Sequence, residues 1–238
     1  MNLLLFSADE IGASGELTVE DRRHQHLVHV LGAKTGDTIR VGQIEGAVGS
    51  GFLTRIDDRS ATLSVDLNRE APKPLDLTVV LALPRPKMLR RILRGLAEVG
   101  VKDIYLINSF KVEKSYWQSP LLDRAEYEAW LLAGLEQAMD TRMPAVTLSQ
   151  RFRPFAEDVL PRLCAGREAL LADHRAAEPY PSAPQIPGVL VIGPEGGFTE
   201  FECELIGNAG AKAVTMGDRV LRVETALHCA LGRHLGPG

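Results

Sequence analysis

Val189-Leu-Val-Ile-Gly-Pro-Glu-Gly-Gly-Phe-Thr199 begins as an unbroken apolar run and passes without a spacer into a glycine bend. A short apolar run bounded in this way reads as a buried strand. Thr199, with Glu202 three residues on, has the spacing of a capping box that opens a helix. The unit is therefore strand, turn, helix. Glycines in the turn let a ligand approach the backbone closely, and the free amides of a helix start favour an anionic or polar ligand. The open ends of strands are where α/β proteins usually bind one. Taken alone, residues 193–197 are equally well read as a tight turn with no ligand.

The next segments outward change that balance. Ala213-Val-Thr-Met216 reads as a short strand, and Gly217 ends it before a loop in which Arg219 and Arg222 flank Val220 and Leu221. Glu224-Thr-Ala-Leu-His-Cys-Ala-Leu231 then reads as a helix. Two strand-end loops so close in sequence can line one pocket. Apolar Leu221 can pack a flat ring while backbone groups of both loops bind its edges, the usual composition of a small-molecule site.

Further strands are expected at Leu77 to Leu83, Asp103 to Ile107, Ala145 to Leu148 and Ala169 to Ala172, with helices at Lys87 to Val99, Pro120 to Asp140, Phe155 to Cys164 and Thr199 to Ala209. That alternation predicts a mostly parallel α/β sheet over residues 75–238. Before it, Thr38 to Val41, Gly51 to Ile56 and Ala61 to Val65 are short β-like runs broken by glycine and aspartate, which suggests a small β-barrel over residues 1–70. Arg69-Glu-Ala-Pro-Lys-Pro74 joins the two as a short, stiff linker, because each proline restricts the residue before it. His174 to Gly188 reads as a proline-rich, mobile loop.

With 238 residues, 45% of them hydrophobic, the chain can bury a sizeable core in one large or two small domains. No run is long enough to span a membrane, and Leu3 to Phe6 is too short for a signal-peptide core, so a cytoplasmic protein is expected. Cys164, Cys203 and Cys229 form no Cys-x-x-Cys pair and predict buried or neutral thiols rather than a zinc site. His24, His26 and His29 lack a second ligand cluster, and a loop or barrel surface accounts for them, so no metal is expected.

The net charge of -4 does not announce a nucleic-acid binder. Residues 1–70 hold seven cations and eleven acids, which leaves the remainder neutral. An RNA partner would need a local patch. Lys87, Arg90, Arg91 and Arg94 supply one, at the spacing of a single helix face opposite Met88, Leu89, Ile92, Leu93 and Leu96, with Arg85 just upstream. Glu98 is the only acid on that face, so ion pairs within the helix are not expected to neutralise it. Phosphate contact and a merely solvated face both fit the pattern.

Gly193-Pro-Glu-Gly-Gly197, followed by Gly217-x-Arg-Val-Leu-Arg-x-Glu-Thr-Ala226, resembles the signature of the RsmE family. These are SPOUT methyltransferases that modify N3 of a uridine in 16S ribosomal RNA. His26-Leu-Val-His-Val-Leu31, with Gly36-Asp37 and Ile39-Arg-Val41 after it, resembles that family's N-terminal barrel, and Leu135-Glu-Gln-Ala-Met-Asp-Thr-Arg142-Met-Pro144 its Glu-Gln-x-x-x-x-Arg-x-Pro stretch. The resemblance implies a PUA-like RNA-binding barrel before a SPOUT domain with a C-terminal trefoil knot. It implies bound S-adenosylmethionine, a homodimer with the active site at the subunit interface, and 16S ribosomal RNA within the small subunit as partner. Carried over, the cofactor residues are Leu171, Ile192, Gly193, Pro194, Glu195, Gly196, Gly197, Met216, Gly217, Val220, Leu221, Arg222, Thr225 and Ala226. Arg85, Lys87, Arg90, Arg91, Arg94 and Arg142 are the RNA candidates.

Uridine N3 carries a proton at neutral pH, so some group must accept it while charge spreads onto the ring oxygens. Arg222 is the candidate for orienting the uracil or a neighbouring phosphate, since guanidinium is a planar donor fork. Glu224 is the candidate acceptor or, alternatively, a carboxylate stabilising a helix start. Glu195 either binds substrate or caps its turn; Arg142 either meets RNA or holds Glu136 across a subunit; His228 relays a proton or packs at an interface. Tyr116 and Trp117, near Lys111 and Lys114, are candidates for base stacking or core packing. The chain departs from the family at Asn2-Leu-Leu-Leu and Gly32, where arginines often stand, and at Ser109-Phe-Lys-Val-Glu-Lys-Ser115, which replaces a Glu-Arg-Ser run. Two other functions stay open: a SPOUT enzyme acting on transfer RNA, at a ribose 2'-oxygen or guanine N1, and a non-catalytic RNA-binding assembly factor.

Overall fold

The computed structural model describes residues 2–12 and 14–235; Met1, Ala13 and residues 236–238 lie outside the described residues. Two compact units divide the chain. The first holds Met1–Lys73 together with Leu131–Met143, a stretch counted with the second domain from sequence; the second holds Pro74–Trp130 and Pro144–Gly238.

The first unit is built on a five-stranded sheet of β1 (Leu4–Phe6), β2 (Glu16–Val19), β3 (Thr38–Gln43), β4 (Val48–Ile56) and β5 (Ala61–Arg69), in the order β1-β3-β4-β5-β2. Only β1 and β3 run parallel; the other pairs are antiparallel. Alternation along the strands sends Leu17, Val19, Val41, Leu53, Ala61 and Leu63 into one core with Leu4, Phe6 and Leu27. Sequence patterning found β3 to β5 and missed β1 and β2. β1 is buried at every position and so shows no alternation to detect.

Of the three histidines, His29 is exposed as expected and His26 half-buried, but His24 is not on the surface. They sit on α1 (Arg22–His26) and the wide π turn Leu27–Leu31 that continues it. His24 is buried, and its Nε2 pairs with the Asp57 carbonyl at 2.9 Å. Arg22, in the first turn of α1, grips the buried Glu136 with both guanidinium nitrogens at 2.6 and 3.1 Å. Glu136 is thus held within its own chain by Arg22, and no subunit partner is needed for it.

The second unit carries a six-stranded, wholly parallel sheet. Its strands are β6 (Leu75–Ala82), β7 (Val101–Ile107), β8 (Ala145–Ser149), β9 (Glu168–Ala172), β10 (Gly188–Ile192) and β11 (Lys212–Val214), ordered β11-β9-β10-β6-β7-β8. β10 is buried along its whole length, and β6 from Leu77 onward, because both sit mid-sheet and are covered on two faces. β8 at one edge and the three-residue β11 at the other stay largely exposed. The connecting helices are α2 (Pro86–Glu98), α3 (Arg124–Ala138), whose residues from Leu131 on count with the first unit, the segment formed by α4 (Phe152–Pro154), a π turn and α5 (Leu160–Cys164), then α6 (Glu200–Asn208) and α7 (Val223–His234). The linker residues 70–74 are irregular, as two prolines require.

Residues 174–188, read from sequence as a mobile loop, are anchored. Tyr180 is buried, its hydroxyl pairs with His234 Nε2 at 2.7 Å, and its backbone N–H donates to the Thr215 carbonyl at 2.7 Å. Proline content signals irregular backbone, which is not the same as loose backbone.

Replacing Arg22 with Ala strands the Glu136 carboxylate in a buried place, and a loss of about 2 kcal/mol is expected in urea unfolding at neutral pH. The Arg22→Ala, Glu136→Gln double variant should recover much of that loss; a double variant no more stable than Arg22→Ala would refute the pairing as the cause.

Candidate functional site

The open cleft of the second unit forms where the carboxyl ends of β9, β10 and β11 meet the start of α7. Its lining includes Ile192 and residues 193–197 after β10, Val214 to Gly217 after β11, then Arg219, Val220, Leu221, Val223 and Ala226. The two loops singled out in the sequence therefore do face one space. The side-chain walls are mostly aliphatic, while the bends present backbone. Gly197 and Gly217 have φ of 68° and 109°, a left-handed region that side chains disfavour, so both bends depend on glycine.

Three carried-over cofactor positions are not among the lining. Leu171 points into the core from β9 and is 1% exposed; by strand alternation its neighbour Ala172 takes the cleft. Arg222 and Thr225 lie on an exposed strip of α7, beside the Val223 and Ala226 face that lines the space. Sequence reasoning missed Asp173, His174, Phe198 and Thr215. Asp173 and His174 directly follow β9, so the rule that strand ends carry the site would have found them.

Asp173 fastens the cleft's near wall. Its carboxylate binds Arg175 at 2.6 Å, and Arg175 also donates to the Phe198 carbonyl at 3.1 Å, behind the glycine bend. Burial acts to raise the Asp173 pKa, but hydrogen bonds and charge from Arg175 outweigh it and hold the carboxyl at about 2. Burial pushes the Cys203 and Cys164 thiols up, so both are neutral, whereas Cys229 is exposed. No group of three or more His, Cys, Asp or Glu side chains gathers to hold a metal among the described residues.

The opposite wall is held by Glu202. The capping box expected from sequence is present: Glu202 N–H donates to Thr199 Oγ1 at 3.2 Å, and the Glu202 carboxylate accepts the Thr199 N–H at 2.8 Å. The same buried carboxylate accepts the Phe110 N–H at 2.7 Å, from the loop after β7. Lys111 Nζ next to it donates to the Gly196 carbonyl at 2.6 Å. Glu195 does not cap its own turn. It pairs with Arg85 at the start of α2, at 3.7 Å.

Arg85, Lys87, Arg90, Arg91 and Arg94 are all exposed, with Leu89, Ile92, Leu93 and Leu96 buried beneath. One expectation fails here: Arg94 pairs with Glu98 at 3.0 Å, the i,i+4 geometry, so the stripe is partly neutralised. Arg142 is exposed and belongs to the first unit. Glu224 is half-buried in the first turn of α7. His228 Nδ1 lies 2.5 Å from the Glu224 backbone carbonyl, which can only accept, so that nitrogen carries the proton. Its ring packs over Gly95 of α2, where an added Cβ would lie 2.9 Å from Nε2. That proton is committed to the helix backbone, and the exposed ring rests against Gly95. Trp117 is half-buried and donates to Asn108 Oδ1 at 3.0 Å.

Comparison with known proteins adds a family. Residues 71–235 match the model of an RNA methyltransferase domain. The ribosomal RNA small subunit methyltransferase E of Treponema pallidum is 32% identical over 95% of this chain and 87% of its own length. A Borreliella burgdorferi protein, ribosomal RNA small subunit methyltransferase E 1, is 26% identical over 95% of this chain and 94% of its own. The fold matches the crystal structure of ribosomal RNA small subunit methyltransferase E from Neisseria gonorrhoeae bound to S-adenosyl methionine, with a TM-score of 0.74 at 22% identity over 97% of this chain and 95% of that one. Among the described residues, no helix is long and apolar enough to cross a membrane.

The Asp173 carboxyl contributes stability above its unfolded pKa near 4, and that contribution is lost as pH falls toward the folded value of about 2. Asp173→Asn should cost about 1–2 kcal/mol at pH 7, discounted for partial exposure. The difference from wild type should shrink in acid melts below about pH 4; a constant difference would rule out the carboxylate charge as its source.

Proposed function

The chain belongs to the RNA methyltransferase family, with the RsmE-type small subunit enzymes, and on that premise we propose that it methylates N3 of a uridine in 16S ribosomal RNA, using S-adenosylmethionine. One observation carries the proposal: two glycine-bearing strand-end loops converge on a single cleft with aliphatic walls, immediately before the helix that starts with Arg222 and Glu224.

The cleft fits the adenosyl group in its donor set. Ile192, Pro194, Val214, Leu221 and Val223 offer flat apolar contact, and the bends at Gly197 and Gly217 bring backbone amides and carbonyls where ring edges and ribose hydroxyls need partners. S-adenosylmethionine supplies a methyl group activated on a sulfonium. The protein's own task is then alignment, proton removal and exclusion of water. Arg222 is exposed at the N-cap of α7, where its guanidinium orients a uracil oxygen or an adjoining phosphate. Glu224, in the first turn of α7, accepts the N3 proton. Because N3 is the pairing edge, the target base must be unpaired when it reacts.

In the same proposal, the exposed cations of α2 and Arg142 meet RNA phosphates within the small ribosomal subunit. Residues 1–70 act as a PUA-like RNA-binding barrel, and residues 75–238 form a SPOUT domain with a C-terminal knot. The protein works in the cytoplasm as a homodimer whose interface completes the active site.

Glu224→Gln should lower kcat by at least about 100-fold while leaving S-adenosylmethionine affinity unchanged by calorimetry; near-normal turnover would remove Glu224 as the base. The function is tested by incubating the protein with labelled S-adenosylmethionine and small ribosomal subunits, naked ribosomal RNA or bulk transfer RNA, then identifying the modified nucleoside. Labelled 3-methyluridine from ribosomal RNA is expected. A ribose-methylated or guanine-methylated transfer RNA product, or no product, would overturn the proposal.

A further inference from the structure

Phe110 is 83% exposed, the highest value among the large hydrophobic side chains described. A single exposed apolar side chain is ordinary on a protein surface. Its mount is not. Ser109 and Val112 on either side are buried, and the Phe110 N–H is fixed at 2.7 Å by the Glu202 carboxylate, itself only 4% exposed. Lys111 is tied by its ammonium to the Gly196 carbonyl on the cleft wall. The backbone under the ring is therefore held in place, and the ring stands in water on the loop whose Lys111 reaches the cleft wall. Folding has no use for that arrangement, since the hydrophobic effect favours burying so large a ring.

The charge around the ring points to its occupant. From Lys111 the contacts run through Gly196 and Glu195 to Arg85, where the basic face of α2 begins. Exposed Lys114 follows four residues after Phe110. Of the acids along this path, Glu202 is buried in the capping box and Glu195 is engaged by Arg85, while exposed Glu113 stands between Lys111 and Lys114 and partly offsets them. An aromatic face flanked by cations, beside a cleft, matches what single-stranded nucleic acid requires: bases stack on the ring while phosphates track the charge. Tyr116 and Trp117 are both half-buried, and Trp117 is committed to Asn108, so neither offers a comparable free face.

We propose that Phe110 is a stacking platform for an unpaired base of the RNA strand that carries the target uridine, and so a positioning residue for substrate. The inference rests on the RNA substrate proposed above. It gives the Ser109 to Ser115 segment a role in place of the arginine-bearing run that the family resemblance leads one to expect there.

The test compares wild type with Phe110→Ala and Phe110→Trp. Three quantities are read: affinity for a uridine-rich single-stranded RNA oligonucleotide, kcat and KM for methylation of small subunits or ribosomal RNA, and S-adenosylmethionine binding by calorimetry. Phe110→Ala should raise the oligonucleotide Kd and the RNA KM by about tenfold, with kcat and cofactor affinity unchanged. Phe110→Trp should restore both, and its indole fluorescence should be quenched as the oligonucleotide binds. Wild-type RNA affinity and KM in Phe110→Ala would overturn the stacking role and leave the proposed function standing. Quenching and affinity loss without any methylation of RNA by wild type would do the reverse.

Discussion

The Glu202 carboxylate is the constraint on which the site depends. It is buried, and it accepts hydrogen bonds from two loops that leave different strands: Thr199 after β10 and Phe110 after β7. A buried carboxylate is tolerated only when its oxygens are satisfied, and each of these N–H groups would in turn be left unpaired without it. The bond network therefore fixes both loops at once or neither. The glycine bend, the start of α6 and the exposed ring at position 110 inherit their positions from it.

How much of this was legible follows from what each element hides. The capping box was read from Thr199 and Glu202 alone, because it is a local device with a fixed spacing. The Phe110 partner of Glu202 is 92 residues away in sequence and has no local signature. The parallel sheet was visible as alternating strands and helices, and most of its strands lie within two residues of the expected bounds. β1 was missed because three successive buried residues carry no period. The basic face of α2 was found by its 3.6-residue spacing, but the Arg94 and Glu98 pair that tempers it required side-chain rotamers. Leu171 and Ala172 differ by one step of strand alternation, a distinction that motif transfer does not make and a pleated strand enforces.

The cleft's two walls are secured by different chemistry. Asp173 and Arg175 hold one through an ion pair that survives well into acid, and Glu202 holds the other through hydrogen bonds to backbone. Between them the floor is glycine backbone, which offers shape without side-chain charge. Such a floor discriminates little by electrostatics, so charge in the cleft comes from side chains on its lining such as Asp173, Glu195 and Arg219.

The position of β10 also bears on how the unit assembles. It lies between β9 and β6, pairing Gly188 with Glu168 on one side and with Leu77 on the other, a loop closure of roughly 110 residues. β6 and β7 pair through a short crossover helix and β9 and β10 are close in sequence, whereas the pairing of β10 with β6 joins distant parts of the chain. Non-local parallel pairing of this kind is slow, because chain entropy is lost before contacts compensate. The pairing that seats the glycine bend beside β6 is thus the entropically costly one. Because the cleft draws on β9, β10, β11 and the start of α7, ligand occupancy reports the assembly of all four.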